Sequence, residues 1–231
     1  MQHLQPYQVR GPQSAPRAFW GTTIQPQRWS AIQRYTPPGV PILDLGAGRG
    51  AYVEALGSLG FSVVGVDVYR YPEWHDRPQG IFVNAAASDL PFDDKRFHTT
   101  ISFEVLEHCP EPHLVLREIA RCTTDRLIFS VPNCNLDNAL RKYNLALFHW
   151  TDPTHCNFFT KDTLQSFLVQ ENFTVLEMTD AVQIIPNNYF WDTLRIPRRA
   201  ANVMKKVCKR LNLVETYWSS ILVVAEIPGS R

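Results

Sequence analysis

The residues with the most chemical promise lie in one short run, Ile42-Leu43-Asp44-Leu45-Gly46-Ala47-Gly48-Arg49-Gly50-Ala51. An apolar, strand-like stretch enters a glycine-rich turn, and the turn opens a helical pattern. Gly46 and Gly48 permit tight turning and let backbone N–H groups approach a ligand, while Ala51 stands where a dinucleotide fold takes a small residue for helix packing. Asp67 follows Val63-Val64-Gly65-Val66, 23 residues after Asp44, and there a carboxylate can accept both hydroxyls of a ribose. Together they imply a ligand that contains adenosine. Asp44 narrows the choice, because a dinucleotide brings two phosphate charges to such a turn and an extra carboxylate beside them repels.

S-adenosylmethionine avoids that repulsion: its amino group lies beside Asp44 while turn N–H groups receive its carboxylate. Its sulfonium is already an activated electrophile, so the protein has chiefly to align an unprotonated acceptor and exclude water. A hydroxyl acceptor also gains from a base that titrates near neutrality, for which His108, His149 and His155 are the candidates. His108 and His155 fall on the side where such a fold presents substrate and can share one pocket; each can equally order its own loop. His149-Trp150 reads as pocket wall or core. Glu104, Glu107, His108 and His155 have the ligand types of a divalent-metal site, and the sequence leaves open whether a metal binds.

Alternating elements must position these groups. Trp29, Ile32 and Tyr35 at helical spacing predict a helix over Pro26–Tyr35, after a Pro/Gln-rich lead-in and before Pro37-Pro38-Gly39. β-branched runs at Pro41–Leu45, Ser62–Val66, Ile81–Asn84, Thr99–Phe103 and Arg126–Val131 alternate with helical patterns at Arg49–Leu59 and Pro112–Cys122, the rhythm of a parallel sheet with crossover helices. A loop-rich stretch, a helix over Lys161–Glu171 and strands at Phe173–Met178 and Ile221–Ile227 follow. Residues 1–40 read as lead-in and helix, 41–231 as one α/β domain, and 181–217 as a helical, basic cap inserted between the last two strands. In the cap Arg195, Arg198, Arg199, Lys205, Lys206, Lys209 and Arg210 interleave with Ile196, Val203, Met204, Val207, Cys208 and Leu211 as an amphipathic helix. That helix is a solvated surface, a lid over an anionic acceptor, or a peripheral dock on a membrane. Tyr189, Phe190, Trp191 and Tyr217 supply walls for a sugar or ring, or the cap's own core.

Asp44 with Gly46, Gly48 and Gly50 resembles the acidic residue and G-x-G-x-G of the class I S-adenosylmethionine-dependent methyltransferases. Ser88-Asp89-Leu90-Pro91-Phe92 is similar to that family's adenine-contacting segment, and Phe103-Glu104-Val105-Leu106-Glu107-His108 to the motif after its fourth strand. Leu127 to Asn133 resembles the fifth strand with its Pro-Asn exit. Asp152-Pro153-Thr154-His155 with Phe158-Phe159-Thr160 resembles the run before the sixth strand in the broad small-molecule, methyltransferase type 11-like branch. The likeness spans about Pro41 to Met178 plus the last strand. It implies a Rossmann-like, seven-stranded, mostly parallel sheet with an antiparallel last strand and helices on both faces. It further implies a cofactor site of Asp44, Gly46, Ala47, Gly48, Asp67, Val68, Ser88, Asp89, Leu90, Phe103 and Glu104. Asp67 would take the ribose and Asp89 the adenine amino group, with Leu90 beside the ring and Phe103 and Glu104 as cover. Asp67 as a turn cap and Asp89 as a plain surface turn are the simpler readings. His155 and His108 are the expected catalytic pair. The Glu-x-x-Glu-His pattern with a later His is also similar to small-RNA terminal 2′-O-methyltransferases, where a metal would orient ribose hydroxyls.

Composition sets the outer bounds. With 231 residues, 45% of them hydrophobic and 19% charged, the chain has the balance of a packed globular protein. Its 23 basic and 22 acidic residues give a net charge of +1, which argues against nucleic acid as a partner. Five cysteines without a C-x-x-C pair suggest neither a disulfide framework nor structural zinc, and fit the cytoplasm. Met1 to Ala18 does not read as a secretory signal, and no apolar stretch approaches the roughly 20 residues of a membrane span. The expected function is methyl transfer from S-adenosyl-L-methionine to a small-molecule acceptor, at oxygen, with a sugar or an anionic or lipid-linked compound in view. Rival readings are a metal-assisted RNA 2′-O-methyltransferase, an NAD-dependent oxidoreductase, which leaves Asp44 and Glu-Val-Leu-Glu-His unexplained, and a catalytically silent cofactor-binding module. The oligomeric state is not legible.

Overall fold

Strands covered on both faces are written as unbroken apolar runs, and such runs build the sheet here. The computed structural model describes residues 24–78, 80–136, 152–184, 197–211 and 217–229. Its elements are α1 (Pro26–Tyr35), β1 (Pro41–Leu45), α2 (Ala51–Ser58), β2 (Ser62–Asp67), β3 (Ile81–Asn84), β4 (Phe97–Phe103), α3 (Pro112–Cys122), β5 (Thr123–Pro132), α4 (Lys161–Gln170), β6 (Thr174–Ile184), α5 (Arg198–Arg210) and β7 (Tyr217–Glu226). The strands form one sheet in the order β3-β2-β1-β4-β5-β7-β6. All are parallel except β7, which runs antiparallel to both β5 and β6. This is the seven-stranded architecture expected from the sequence.

Successive side chains of a strand point to opposite faces, so each strand feeds two cores. Leu43, Leu45, Val66, Phe129 and Val223 face a core shared with Leu116 and Ile119 of α3 and Leu164 and Leu168 of α4. Ile42, Ile101, Ile128 and Leu222 face the other, shared with Ala31 and Ile32 of α1 and Val53 and Leu56 of α2. Thus α1, which the sequence set ahead of the domain, covers part of the sheet. Arg34 and Tyr35 at its C-terminal end reach Glu177 of β6 at 2.9 and 2.8 Å.

β6 continues past the expected Met178 to Ile184, where it pairs with Tyr217. Thr179, Asp180 and Gln183 gave its second half a polar look, but the ladder to β7 supplies the backbone partners. The segment between β6 and β7 is therefore 185–216. Of it, residues 185–196 and 212–216 lie outside the described residues, as do 1–23 and 137–151. The aromatic residues Tyr189, Phe190 and Trp191, together with Arg195, Ile196, His149 and Trp150, fall there.

The turn after β1 is tight for two reasons. Gly46 has φ of +79°, and the Cγ2 of Val105, just beyond β4, occupies the place a Cβ at Gly46 would need. Gly46→Ala is expected to lower stability in urea unfolding by about 3 kcal/mol, from left-handed backbone strain plus overpacking. In the same assay Val105→Ala should cost less in the Gly46→Ala background than in the wild type, because the two sites share one space.

Candidate active site

The sheet order reverses at β1, with β2 on one side and β4 on the other, and ligands of such sheets bind beyond the carboxyl ends of the strands at that point. There the chain brings together the turn after β1, the end of β2 and the exit from β4. The N–H groups of Gly46 and Ala47 both donate to the Val66 carbonyl, at 2.8 and 2.9 Å. The Gly48 N–H donates to one carboxylate oxygen of Asp67 at 2.9 Å, and the Tyr69 N–H to the other at 2.9 Å. Asp67 thereby stitches the turn to β2, and each of its oxygens keeps a lone pair for a ligand hydroxyl. The N–H groups of Gly46, Ala47 and Gly48 are thus engaged within the protein.

Asp44 is 3% exposed, and no ion pair to it occurs among the described residues. Burial, reinforced by the nearby Asp67 charge, pushes its pKa up to about 8. Burial likewise raises Asp67, against the N–H bonds that favour its charged form. The segment between β2 and β3 clamps the turn from outside. Trp74 Nε1 donates to the Gly48 carbonyl at 2.7 Å, Arg77 donates to the Arg49 carbonyl, and Arg49 pairs with Glu73. Neither Trp74 nor Arg77 carries a motif that sequence reasoning could have used.

At the end of β3, Asn84 donates to the carbonyls of Asp67 and Val68 at 2.9 and 2.8 Å, which holds the two strand ends together. Val68, Ser88 and Asp89 are exposed beside them. The Leu90 side chain, expected beside an adenine ring, is packed into the core, and its amide donates to Glu118 at 2.8 Å. In this structure Leu90 anchors the segment.

Glu104 has φ of +58°, a left-handed conformation that costs a non-glycine residue about 1–2 kcal/mol. Three bonds hold it: its N–H donates to the Ser130 carbonyl at 2.9 Å, and its carboxylate accepts from Ser130 Oγ at 2.7 Å and from the Arg28 guanidinium. Arg28 also lies over the Phe103 ring at 5.0 Å, and the Tyr52 ring sits 4.9 Å from Phe103 in a tilted contact. Arg28 is buried, and its Nε has no hydrogen-bond partner among the described residues. Sequence reasoning missed Arg28. Its only signal is spacing, since Arg28 shares a helix face with the buried Ala31 and Ile32.

His108 ends a short helical turn, Leu106–His108, and its Nδ1 lies 2.9 Å from Thr154 Oγ1. That hydroxyl is 2.6 Å from Asp152 Oδ1. Burial raises the Asp152 pKa, but hydrogen bonds from the Thr154 hydroxyl and amide outweigh it and hold Asp152 ionised. A carboxylate only accepts, so the hydroxyl proton points to Asp152 and His108 must donate from Nδ1. Neutral His108 therefore carries its lone pair on Nε2, 4.0 Å from Glu107. The His155 ring stands edge-on to His108 with centroids 4.6 Å apart, so the two expected histidines do share one site. Burial, with His155 beside it, lowers the His108 pKa.

Glu107 is 1% exposed, and neither carboxylate oxygen has a hydrogen-bond partner among the described residues. Burial, then the Glu104 charge, raises its pKa well above the usual carboxylate range. The Glu107 carbonyl accepts from the N–H groups of Cys156 and Asn157 at 2.8 and 3.1 Å, which pins the His155 loop in place. One ligand atom from each of Glu107, His108 and His155 falls within 4.8 Å of the others. Glu104, which the sequence grouped with them, is engaged by Arg28 and Ser130 instead.

A pH dependence follows from Asp44. Its folded pKa of about 8 lies above the ordinary 3.8, so the folded chain keeps a proton that the unfolded chain loses, and stability falls as pH rises through that window. Asp44→Asn removes this contribution. Relative to wild type, the variant is expected to gain roughly 2–4 kcal/mol between pH 5 and pH 8 in unfolding experiments without ligand.

Comparison with known proteins agrees with this geometry. Residues 24–178 match the model of a family described as a methyltransferase domain. An uncharacterized methyltransferase of Mycobacterium sp. (strain JLS) is 32% identical over 126 residues, which are 50% of this chain and 50% of that protein. The chain thus spans about half the length of the curated relatives it matches. A SAM-dependent methyltransferase from Methanosarcina mazei has the same fold, with a TM-score of 0.60 at 18% identity over 86% of this chain and 97% of that one. So has the 1,6-didemethyltoxoflavin-N1-methyltransferase of Burkholderia thailandensis, solved with 1,6-didemethyltoxoflavin and S-adenosylhomocysteine, with a TM-score of 0.58 at 18% identity over 88% and 77% of the two chains. With its glycine turn, the acidic residues at the ends of β1 and β2 and its seven-stranded sheet, the chain belongs to a family of methyltransferase domains and has the class I methyltransferase fold.

Proposed function

We propose that this chain transfers the methyl group of S-adenosylmethionine to a hydroxyl of a small-molecule acceptor. The observation that carries the cofactor half is Asp44, a buried carboxylate with no ion pair among the described residues, set beside Asp67 and the glycine turn. A ligand with both an ammonium and a ribose answers both carboxylates. The methyl donor's amino group neutralises Asp44, and its ribose hydroxyls donate to the remaining lone pairs of Asp67. With the N–H groups of Gly46, Ala47 and Gly48 already engaged, the donor's carboxylate turns to Arg28, whose guanidinium is buried beside Phe103 and Glu104. Exposed Asp89 is left to accept from the adenine amino group.

His108 Nε2 is the base. It removes the acceptor's hydroxyl proton as oxygen attacks the methyl carbon and the S–CH₃ bond breaks, leaving S-adenosylhomocysteine. The chain Asp152–Thr154–His108 orients the ring and disperses the charge it gains. A lowered pKa keeps His108 neutral, and ready as a base, at physiological pH. Fold alone does not carry the choice of acceptor atom, because one fold serves many acceptors.

A second reading is favoured by Glu107. Its two buried, unpartnered oxygens beside His108 and His155 fit a divalent cation, with Glu107, His108 Nε2 and His155 as ligands. Such an ion would polarise and orient adjacent hydroxyls of the acceptor.

Isothermal titration tests the first reading. S-adenosylmethionine and S-adenosylhomocysteine are expected to bind, NAD is not, and Asp67→Ala should weaken binding about thirtyfold, the loss of roughly 2 kcal/mol of charge-assisted contact. Binding of NAD alone, or unchanged affinity in a folded Asp67→Ala variant, contradicts the assignment. Titration with Mn²⁺ tests the second: binding that Glu107→Gln abolishes supports the metal, and no binding leaves His108 acting alone.

A further inference from the structure

β6 runs parallel to β1, β2, β4 and β5, so its last residue, Ile184, and the start of β7 lie at the same edge of the sheet as the glycine turn and Glu104. In the chain, α5 lies between Ile184, the end of β6, and Tyr217, the start of β7. This helix, Arg198–Arg210, has six Lys or Arg residues and no Asp or Glu. Val203, Met204, Val207 and the following Leu211 recur at helical spacing and fall on one stripe. In this chain the stripe is open: these residues are 59%, 41%, 43% and 60% exposed. Arg199, Lys206 and Arg210 are exposed as well, at helical positions off the stripe.

We propose that α5 docks the chain on an anionic membrane surface. Charge and apolarity together select that occupant. Nucleic acid satisfies the basic side chains and leaves the apolar stripe in water. A second copy buries the stripe and brings two sets of six positive charges together. The interface of an anionic bilayer satisfies both faces at once, with the stripe in the acyl boundary and the basic side chains on lipid phosphates. Only six peptide steps separate Leu211 from Tyr217, so a docked α5 holds the strand ends within about 20 Å of the bilayer. Where the methyl-transfer reading holds, on which this last step rests, the acceptor is one carried in the membrane interface.

Vesicle flotation tests the docking, with phosphatidylcholine alone and with about 30% phosphatidylglycerol added. The chain is expected to float with the anionic vesicles only. The double substitution Val203→Glu with Val207→Glu should abolish flotation. Lys206→Glu with Arg210→Glu should lower the bound fraction more than about tenfold. Circular dichroism and titration with S-adenosylmethionine on the same samples, unchanged by these surface substitutions, separate failure of docking from failure of the cofactor reading. No flotation at low salt, or flotation indifferent to anionic lipid or to the two glutamates, overturns the proposal. So does dimer formation, or binding to duplex RNA, that the same substitutions abolish while flotation stays absent.

Discussion

Two carboxylates held largely out of water at the ends of adjacent strands are the constraint around which this chain is arranged. Asp44 is the last residue but one of β1, opposite Gly65, and Asp67 ends β2, one step beyond the pairing of Leu45 with Val66. Burying a carboxylate is costly unless it is paired, hydrogen-bonded or protonated. The chain uses two different solutions. Backbone N–H groups of Gly48 and Tyr69 satisfy Asp67, which stays receptive to a hydroxyl. Among the described residues Asp44 has no such bonds, and burial beside Asp67 holds its pKa up at about 8. The hydrophobic faces of β1 and β2 make this arrangement rigid, since Ile42, Leu43, Leu45 and Val66 are almost wholly buried.

From that pair the remaining parts follow as supports. The left-handed turn at Glu104 directs Val105 against Gly46, so the exit from β4 and the turn after β1 share one packed contact. Ser130 and Arg28 hold Glu104 in that conformation, and through Arg28 the N-terminal helix becomes part of the site. Glu107 and His108 follow within the same short turn, and main-chain bonds from Cys156 and Asn157 bring His155 to them. The glycine turn and the histidine pair are therefore both held by one continuous segment, Phe103 to His108. That continuity suits a reaction whose main demand is alignment.

Much of this was legible because it rests on local patterns. Apolar runs and crossover helices gave the strands, the glycines gave the turn, and Asp67 lay at the end of its strand as expected. The meeting of His108 with His155 could be read from their positions after the fourth and fifth strands. What was not legible depends on contacts distant in sequence. Arg28 looks like any arginine of an amphipathic helix until the fold sets it on Glu104, 76 residues away. Trp74 and Arg77 clamp the glycine turn through its carbonyls, which leave no trace in side-chain patterns. The second half of β6 is polar and exists because β7 supplies its ladder. The turn N–H groups looked available in the sequence, but Val66 and Asp67 engage them in the fold.

The central claim is that Asp44, protonated in the ligand-free chain, ionises when the ammonium of the methyl donor arrives. The most direct measurement is proton release on binding S-adenosylmethionine, read by calorimetry near pH 7 in buffers of differing ionisation enthalpy. About one proton per site should leave the protein, and Asp44→Asn should release none. Binding without proton release, or equal release from Asp44→Asn, would contradict the account.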